Sequence, residues 1–376
     1  MPPSGVPARP LPGGPPQLAP VWRAEHLTAP WLTAVLRSAG ALGRAAVADF
    51  RLQPVGTGQM ADTVRIGLDY RPAAPDAPTS VVAKFTPADD TSRTTALAMR
   101  TSEVEVRFYQ DVAATVGVRT PHCLFSDVDP SNAEFVLVLE DLGPAIPGDQ
   151  LTGCHPDQAA LALAELAALH APRWDDPALG RLEWLTRGTE NVTTGEQLFP
   201  LLFSGFVERY GDSLEDGEVE VGERLMAKVG SYLRSRPGPR TVQHADYRLD
   251  NLMFGTDEGG PPVAVVDWQT VTLGVGAADV SYFLGAGLTP GDRRAHEDGL
   301  LCDYFDRLVA AGVTGYSWDQ FFTDYRRYAY SGYLMAVGAS MLVERTPRGD
   351  EMFLTMARRH AAQIDDLASE ALLGSD

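Results

Sequence analysis

The groups best suited to chemistry are concentrated in His244-Ala245-Asp246-Tyr247-Arg248-Leu249-Asp250-Asn251, and Val265-Val266-Asp267-Trp268-Gln269 follows, with Asp267 sixteen residues after Asn251. Phosphoryl transfer explains the spacing. It needs one carboxylate to orient the attacking hydroxyl and accept its proton, an amide oxygen five residues on as a metal ligand, and a second carboxylate bridging Mg²⁺ and the nucleotide phosphates. Asp246, Asn251 and Asp267 suit those three places in turn. Any one of them alone is better explained by an Asx-turn or a helix cap; the combination reverses that and carries the reading. Asp267 also ends the apolar run Val263-Ala264-Val265-Val266, where a buried carboxylate calls for a cation. Arg248 is placed to stabilise charge on the transferring phosphate, although a surface arginine satisfies the same pattern.

A second set of candidates lies nearer the N-terminus. Of the 31 lysines and arginines only Lys84 and Lys228 are lysines, so the strand-like Val81-Val82-Ala83-Lys84-Phe85 has kept a compact point charge. That suits α- and β-phosphates, the alternative being a lysine that snorkels at a strand edge. Glu105 shares a helical stripe with Phe108 and Val112, whereas Glu103 falls off it; a core-facing carboxylate needs a cation, and Lys84 is its expected partner. Gly56 and Gly58, between two strand-like stretches, could lay backbone N–H groups over phosphates, but a hairpin turn is the default explanation and the pattern alone is weak. Glu140-Asp141-Leu142 follows an apolar strand; there Glu140 and Leu142 are expected to offer a backbone carbonyl and amide to a nucleotide base. His170 closes the stripe Leu163, Leu166, Ala167 and is expected to be a satisfied core histidine.

These residues need a framework. Residues 1–20 are too rich in proline and glycine to offset their ordering entropy and are expected to be disordered. A short helix is predicted from Thr28 to Gly40, then period-two strands around 50–55, 63–68 and 81–85, a helix over about 95–115, and a strand at 135–139. From Pro156 the pattern turns helical: 158–170, a segment around 198–229, 282–310, and a stretch from Trp318 onward, interrupted by two strand-like pieces flanking Gly255 to Pro262. The reading is an α+β chain, with an antiparallel, nucleotide-binding N-lobe over 21–143 and a larger, mostly helical C-lobe over 144–376 for catalysis and acceptor binding.

Composition narrows the partners. A formal net charge of −19 repels phosphate backbones and anionic lipid, which argues against nucleic acid or a membrane surface and favours a cationic or neutral small molecule. No run is long and apolar enough to span a bilayer and the first residues lack a signal-peptide core, so a cytoplasmic location is expected. Cys123, Cys154 and Cys302 show no metal or disulfide spacing. Oligomeric state is not legible.

VGTGQM, VVAKF, EVRFY, LVLEDL, LAALH, HADYRLDNLMF and VVDWQTVTLGVGAADVSYFL resemble, in that order and over about residues 50–290, the aminoglycoside phosphotransferase-like kinases, particularly their ecdysteroid-kinase-like branch. The resemblance implies a two-lobed, protein-kinase-like fold, ATP or GTP as donor, Mg²⁺, and phosphorylation of a hydroxyl on an antibiotic, sterol, choline-like molecule or other metabolite. It implies further that Asp246 is the catalytic aspartate, Asn251 and Asp267 metal ligands, Lys84 with Glu105 the phosphate-binding pair, and Asp279 a support for the catalytic loop. Ala245 departs from the pattern, since glycine is common there. A protein kinase fits less well: Asp-Phe-Gly and Ala-Pro-Glu are missing, and Asp279 comes only twelve residues after Asp267, too soon for a peptide-docking activation segment. A nucleotide-binding pseudokinase, or a scaffold with no nucleotide site, remains the alternative from another class.

Overall fold

A computed structural model describes residues 18–55, 61–186 and 189–373. Gly56, Gly58 and residues 1–17, with the expectations attached to them, lie outside that range. In chain order the elements are α1 (Ala29–Ser38), β1 (Ala46–Pro54), β2 (Asp62–Arg71), β3 (Ser80–Phe85), α2 (Asp90–Met99), α3 (Thr101–Arg107), β4 (Cys123–Asp129), β5 (Glu134–Glu140), β6 (Ile146–Pro147), α4 (Pro156–His170), α5 (Thr189–Tyr210), α6 (Asp216–Met226) and α7 (Val229–Arg234). They continue with β7 (Arg240–Gln243), β8 (Leu252–Thr256), β9 (Gly259–Val265), β10 (Thr272–Val275), α8 (Gly276–Gly287), α9 (Pro290–Ala310), α10 (Trp318–Arg327), α11 (Ala329–Leu342) and α12 (Pro347–Asp366). The chain divides into two compact units: one runs up to Met99 and resumes at His122–Asp141, the other comprises Arg100–Pro121 and everything from Leu142. The segment carrying Glu105 thus clusters with the second unit, although strands of the first flank it in sequence.

The first unit is an antiparallel sheet in the order β1-β2-β3-β5-β4 with α1 against it. Period two decides its faces. Val81, Ala83 and Phe85 of the central β3 are buried with Val64, Ile66, Val136 and Val138 and with Leu32, Val35 and Leu36 of α1. Val82 and Lys84 take the opposite face, half-buried, with Lys84 registered between Thr63 and Leu137. Order begins earlier than composition suggests, because Leu18, Val21 and Trp22 pack on this core and Ala19 accepts the Trp31 Nε1–H at 2.9 Å.

The segment expected to form one helix over 95–115 is broken. Arg100 adopts a left-handed conformation between α2 and α3 (φ 57°), and α3 widens into a π-helical turn over Phe108–Val112. The Glu105, Phe108, Val112 stripe survives, all three being buried. Helix α8 is central: every residue from Gly276 to Gly287 is buried, against α4, α10, α11, α12 and β7. Among the carboxylates of residues 208–223, only Glu218 is partly buried; it caps α6 by accepting the Glu215 N–H at 2.9 Å, while the others are exposed. Among the described residues no helix is long and apolar enough to cross a membrane.

Candidate active site

Strand pairing brings the two motifs together. β7 pairs antiparallel with β10, and the chain leaves β7 directly into His244-Ala245-Asp246, while α8 begins where β10 ends and runs back along the pair. Asp279, buried in the first turn of α8, accepts the His244 N–H at 2.7 Å and the Ala245 N–H at 2.9 Å. Ala245 is held at φ +66°, the region that costs an L-residue its Cβ clearance, which is a physical reason for glycine to be common there. His170 is fully buried and satisfied, through Nδ1 with the Tyr304 hydroxyl at 2.8 Å and through Nε2 with Asp279 at 3.3 Å. It is a core residue that steadies Asp279.

The chain then makes a tight turn over Leu249–Asn251 into the β8–β9 hairpin. Val266 N–H donates to the Asn251 carbonyl at 3.0 Å, which sets Asn251 beside Asp267. The Asn251 amide donates from Nδ2 to the Asp246 carbonyl at 2.9 Å and to its Oδ2 at 3.0 Å, so its own oxygen is directed elsewhere. Asp267 stands at φ +66°, a conformation aspartate tolerates better than most residues. Two contacts tie the loops to each other: His244 Nε2 lies 3.1 Å from the Val266 carbonyl, and the Thr270 hydroxyl donates to the His244 carbonyl at 2.9 Å.

Asp246 is half-buried and surrounded by donors. Tyr282 donates its hydroxyl to Oδ1 at 2.9 Å, and Arg248 Nε lies 3.2 Å from both oxygens. Arg248 is engaged more deeply than a surface arginine, since Nη1 also reaches Asp250 at 2.6 Å and the Met352 sulfur at 3.1 Å. Burial works against its charge, but Asp246, Tyr282 and Asp250 outweigh burial and raise the guanidinium above its ordinary value. Asp250 in turn accepts from Arg348 at 3.0 Å and from the Gln150 N–H at 3.2 Å. Gln150, fully buried, also accepts the Leu249 N–H at 2.9 Å and donates to the Ala286 carbonyl at 2.8 Å.

Within the second unit Glu105 accepts the Trp268 N–H at 3.4 Å, immediately after Asp267, and Phe108 stacks on Trp268 with centroids 3.8 Å apart. The Trp268 indole donates to Thr120 at 2.9 Å. Lys84 belongs to the first unit, as do Glu140 and Asp141. Glu140 donates its N–H to the His122 carbonyl, and Asp141 accepts Arg65 and Ser80, each at 2.7 Å. Leu142, of the second unit, accepts the Ala145 N–H in a turn at 3.0 Å. Tyr282 and Gln150 are the participants not singled out from sequence. Only Tyr282 carried a signal, standing one helical turn after Asp279.

Behind Tyr282 lies His360, its ring stacked at 5.8 Å and its Nδ1 3.1 Å from Gln363 Oε1. Burial lowers His360 to about 4; Gln363 opposes this, and Arg293 and Arg359 reinforce it. A folded-state value below the unfolded one means the stabilisation is complete above about pH 6.5 and is lost as pH falls towards 4. The stability difference between the wild type and His360→Asn, from urea midpoints, is therefore expected to shrink by about 2 kcal/mol between pH 7 and 4.5. A constant difference counts against a neutral, buried imidazole.

The phosphotransferase enzyme family model matches residues 52–329. The chain belongs to that family and is a small-molecule kinase by class. No curated protein matches it. Similar solved structures include a putative aminoglycoside phosphotransferase from Ralstonia eutropha JMP134, with 15% identity over 90% of this chain and 97% of that one and a TM-score of 0.51. An aminoglycoside 2'-phosphotransferase-IIIa in complex with GDP has 14% identity over 84% and 94%, with a TM-score of 0.51. An ethanolamine kinase of Plasmodium vivax has 11% identity over 88% and 87%, with a TM-score of 0.50. At these identities the likeness is one of fold, an α+β, protein-kinase-like one.

Proposed function

We propose that this chain transfers the γ-phosphoryl group of ATP, with Mg²⁺, to a hydroxyl of a small molecule. The observation that supports it best is the hydrogen-bonded pair Asp246–Asn251 set beside Asp267 by the Val266–Asn251 backbone bond. In this reading Asp246 orients the acceptor hydroxyl and takes its proton, and Arg248 holds Asp246 and balances charge near the phosphate. Lys84 and Glu105 serve the α- and β-phosphates, the backbone at Glu140 and Leu142 serves the base, and Gly56 and Gly58 are assigned to the phosphates on sequence alone.

The donor set suits magnesium. Asn251 and Asp267 offer only hard oxygens, and among the described residues no cluster of three or more His, Cys, Asp or Glu forms an all-protein cage. Mg²⁺ is commonly held in that way, by one or two protein ligands with substrate phosphates and water completing the octahedron. When bound, the metal and nucleotide supply the phosphoryl group and neutralise its charge; position and proton transfer fall to the protein.

Relatives in fold carry the names aminoglycoside phosphotransferase and ethanolamine kinase, and a net charge of −19 would draw in a cationic acceptor. The reading is tested by Asp267→Ala. Calorimetry with Mg-ATP is expected to show affinity weakened by roughly 10-fold or more, because a metal bridge is lost. Wild-type affinity would remove Asp267 from the site, and Mg-ATP binding without turnover across a panel of hydroxyl compounds would favour a pseudokinase.

A further inference from the structure

Tyr282 is the donor to Asp246 that no motif assigns. Its hydroxyl reaches Oδ1 from one helical turn beyond Asp279, and positions i and i+3 share a helix face. Asp279 fixes the backbone of the loop through the His244 and Ala245 N–H groups; Tyr282 touches the carboxylate that follows them. That second grip matters because χ2 of an aspartate is a broad, roughly two-fold torsion, which donors on one oxygen alone leave loosely set. Asn251 secures Oδ2 and Tyr282 secures Oδ1, with Arg248 Nε against both. A carboxylate offers about four lone-pair sites. With three taken, one is left to accept an incoming hydroxyl.

The phenol is built to stay where it is. Burial and the neighbouring Asp246 raise Tyr282 well above its ordinary value, so it acts as a donor and never as a competing base. Its ring stacks on His360, which occupies space left by two glycines: a Cβ at Gly332 would lie 1.9 Å from His360 Nε2, and one at Gly285 2.4 Å from Nδ1. Helices α8 and α11 therefore enclose the His360 ring, which backs Tyr282 from α12, and a rigid supporting residue holds its partner better than a loop residue can.

We infer that Tyr282 is a positioning residue for phosphoryl transfer, its hydroxyl setting the Asp246 carboxylate so that the remaining lone pair faces the acceptor hydroxyl. The inference rests on the role proposed above for Asp246. Tyr282→Phe removes the hydroxyl and keeps the stacked ring. Turnover is measured as hydrolysis of Mg-ATP, with water in the acceptor's place, and as phosphorylation once an acceptor is found. The expected result is a kcat lowered roughly 10- to 100-fold, the scale of one hydrogen bond to a charged group, with KM for nucleotide and the thermal midpoint near wild type. In an Asp246→Asn background the same change should cost little more, because it acts through that carboxylate. Wild-type kcat in Tyr282→Phe, or losses that multiply in the double variant, would overturn the positioning role. Wild-type turnover in Asp246→Asn alone overturns the reading of the site, and the inference with it.

Discussion

Asp246→Asn is expected to lower kcat by roughly 10²- to 10⁴-fold while leaving nucleotide affinity nearly unchanged, the signature of a lost proton acceptor rather than a lost binding group. The geometry makes this substitution informative. An asparagine can turn its oxygen towards Asn251 Nδ2 and Arg248 Nε, and its amide towards the Tyr282 hydroxyl, which accepts as readily as it donates. The loop can thus keep its hydrogen bonds. What it loses is basicity, and with it the pull on the acceptor proton as the new bond forms. Single-turnover phosphorylation, paired with nucleotide calorimetry, checks both halves. A variant with wild-type kcat would show that Asp246 only shapes the loop.

What was legible in the sequence follows the physics of each element. α4 and β3 are legible nearly to their ends because each is apolar on one face, at 3.6 and 2.0 residue periods. α8 begins six residues before its expected start at Tyr282, since all twelve of its residues are buried and no stripe distinguishes one side. The expected helix over 282–310 runs it into α9, although Thr289-Pro290 is a cap followed by proline at the first helical position. Thr346-Pro347 repeats the signal before α12. β4 is not legible because its residues, Cys123–Asp129, are uniformly half-buried at the edge of the sheet and do not alternate.

The candidate site was more legible than its support. Asp246, Asn251 and Asp267 are close in sequence, so one hairpin suffices to relate them. Tyr282 and Gln150 reach the same loop from α8 and from the segment before α4, and His360 backs Tyr282 from α12. No local pattern encodes such contacts, since they depend on how helices far apart in sequence pack. Glu105 shows the same limit: its burial followed from a stripe, but its hydrogen bond to Trp268 N–H spans 163 positions.

Asp279→Ala is expected to cause the largest loss of stability, about 3–5 kcal/mol, and a fall in kcat besides. The carboxylate is fully buried and is the acceptor for two backbone N–H groups, with His170 Nε2 as a third neighbour. Removing it leaves those donors without a partner, and each buried orphan costs about 1–3 kcal/mol. Urea unfolding should show a lower midpoint with an unchanged slope. The catalytic effect has a separate cause. Ala245 stays at φ +66° against a cost of about 1–2 kcal/mol for an L-residue, and the bonds to Asp279 are what hold it there. Without them the backbone relaxes and Asp246 moves from its place beside Tyr282 and Asn251. Ala245→Gly separates the two effects. In the wild type it should be almost neutral, because relief of strain is offset by greater freedom of the unfolded chain. In the Asp279→Ala background it should restore part of kcat while restoring little stability, since glycine makes the left-handed turn accessible but satisfies neither N–H. Equal recovery of both, or of neither, would mean that the loop is not held by this conformation and that Asp279 acts on the fold alone.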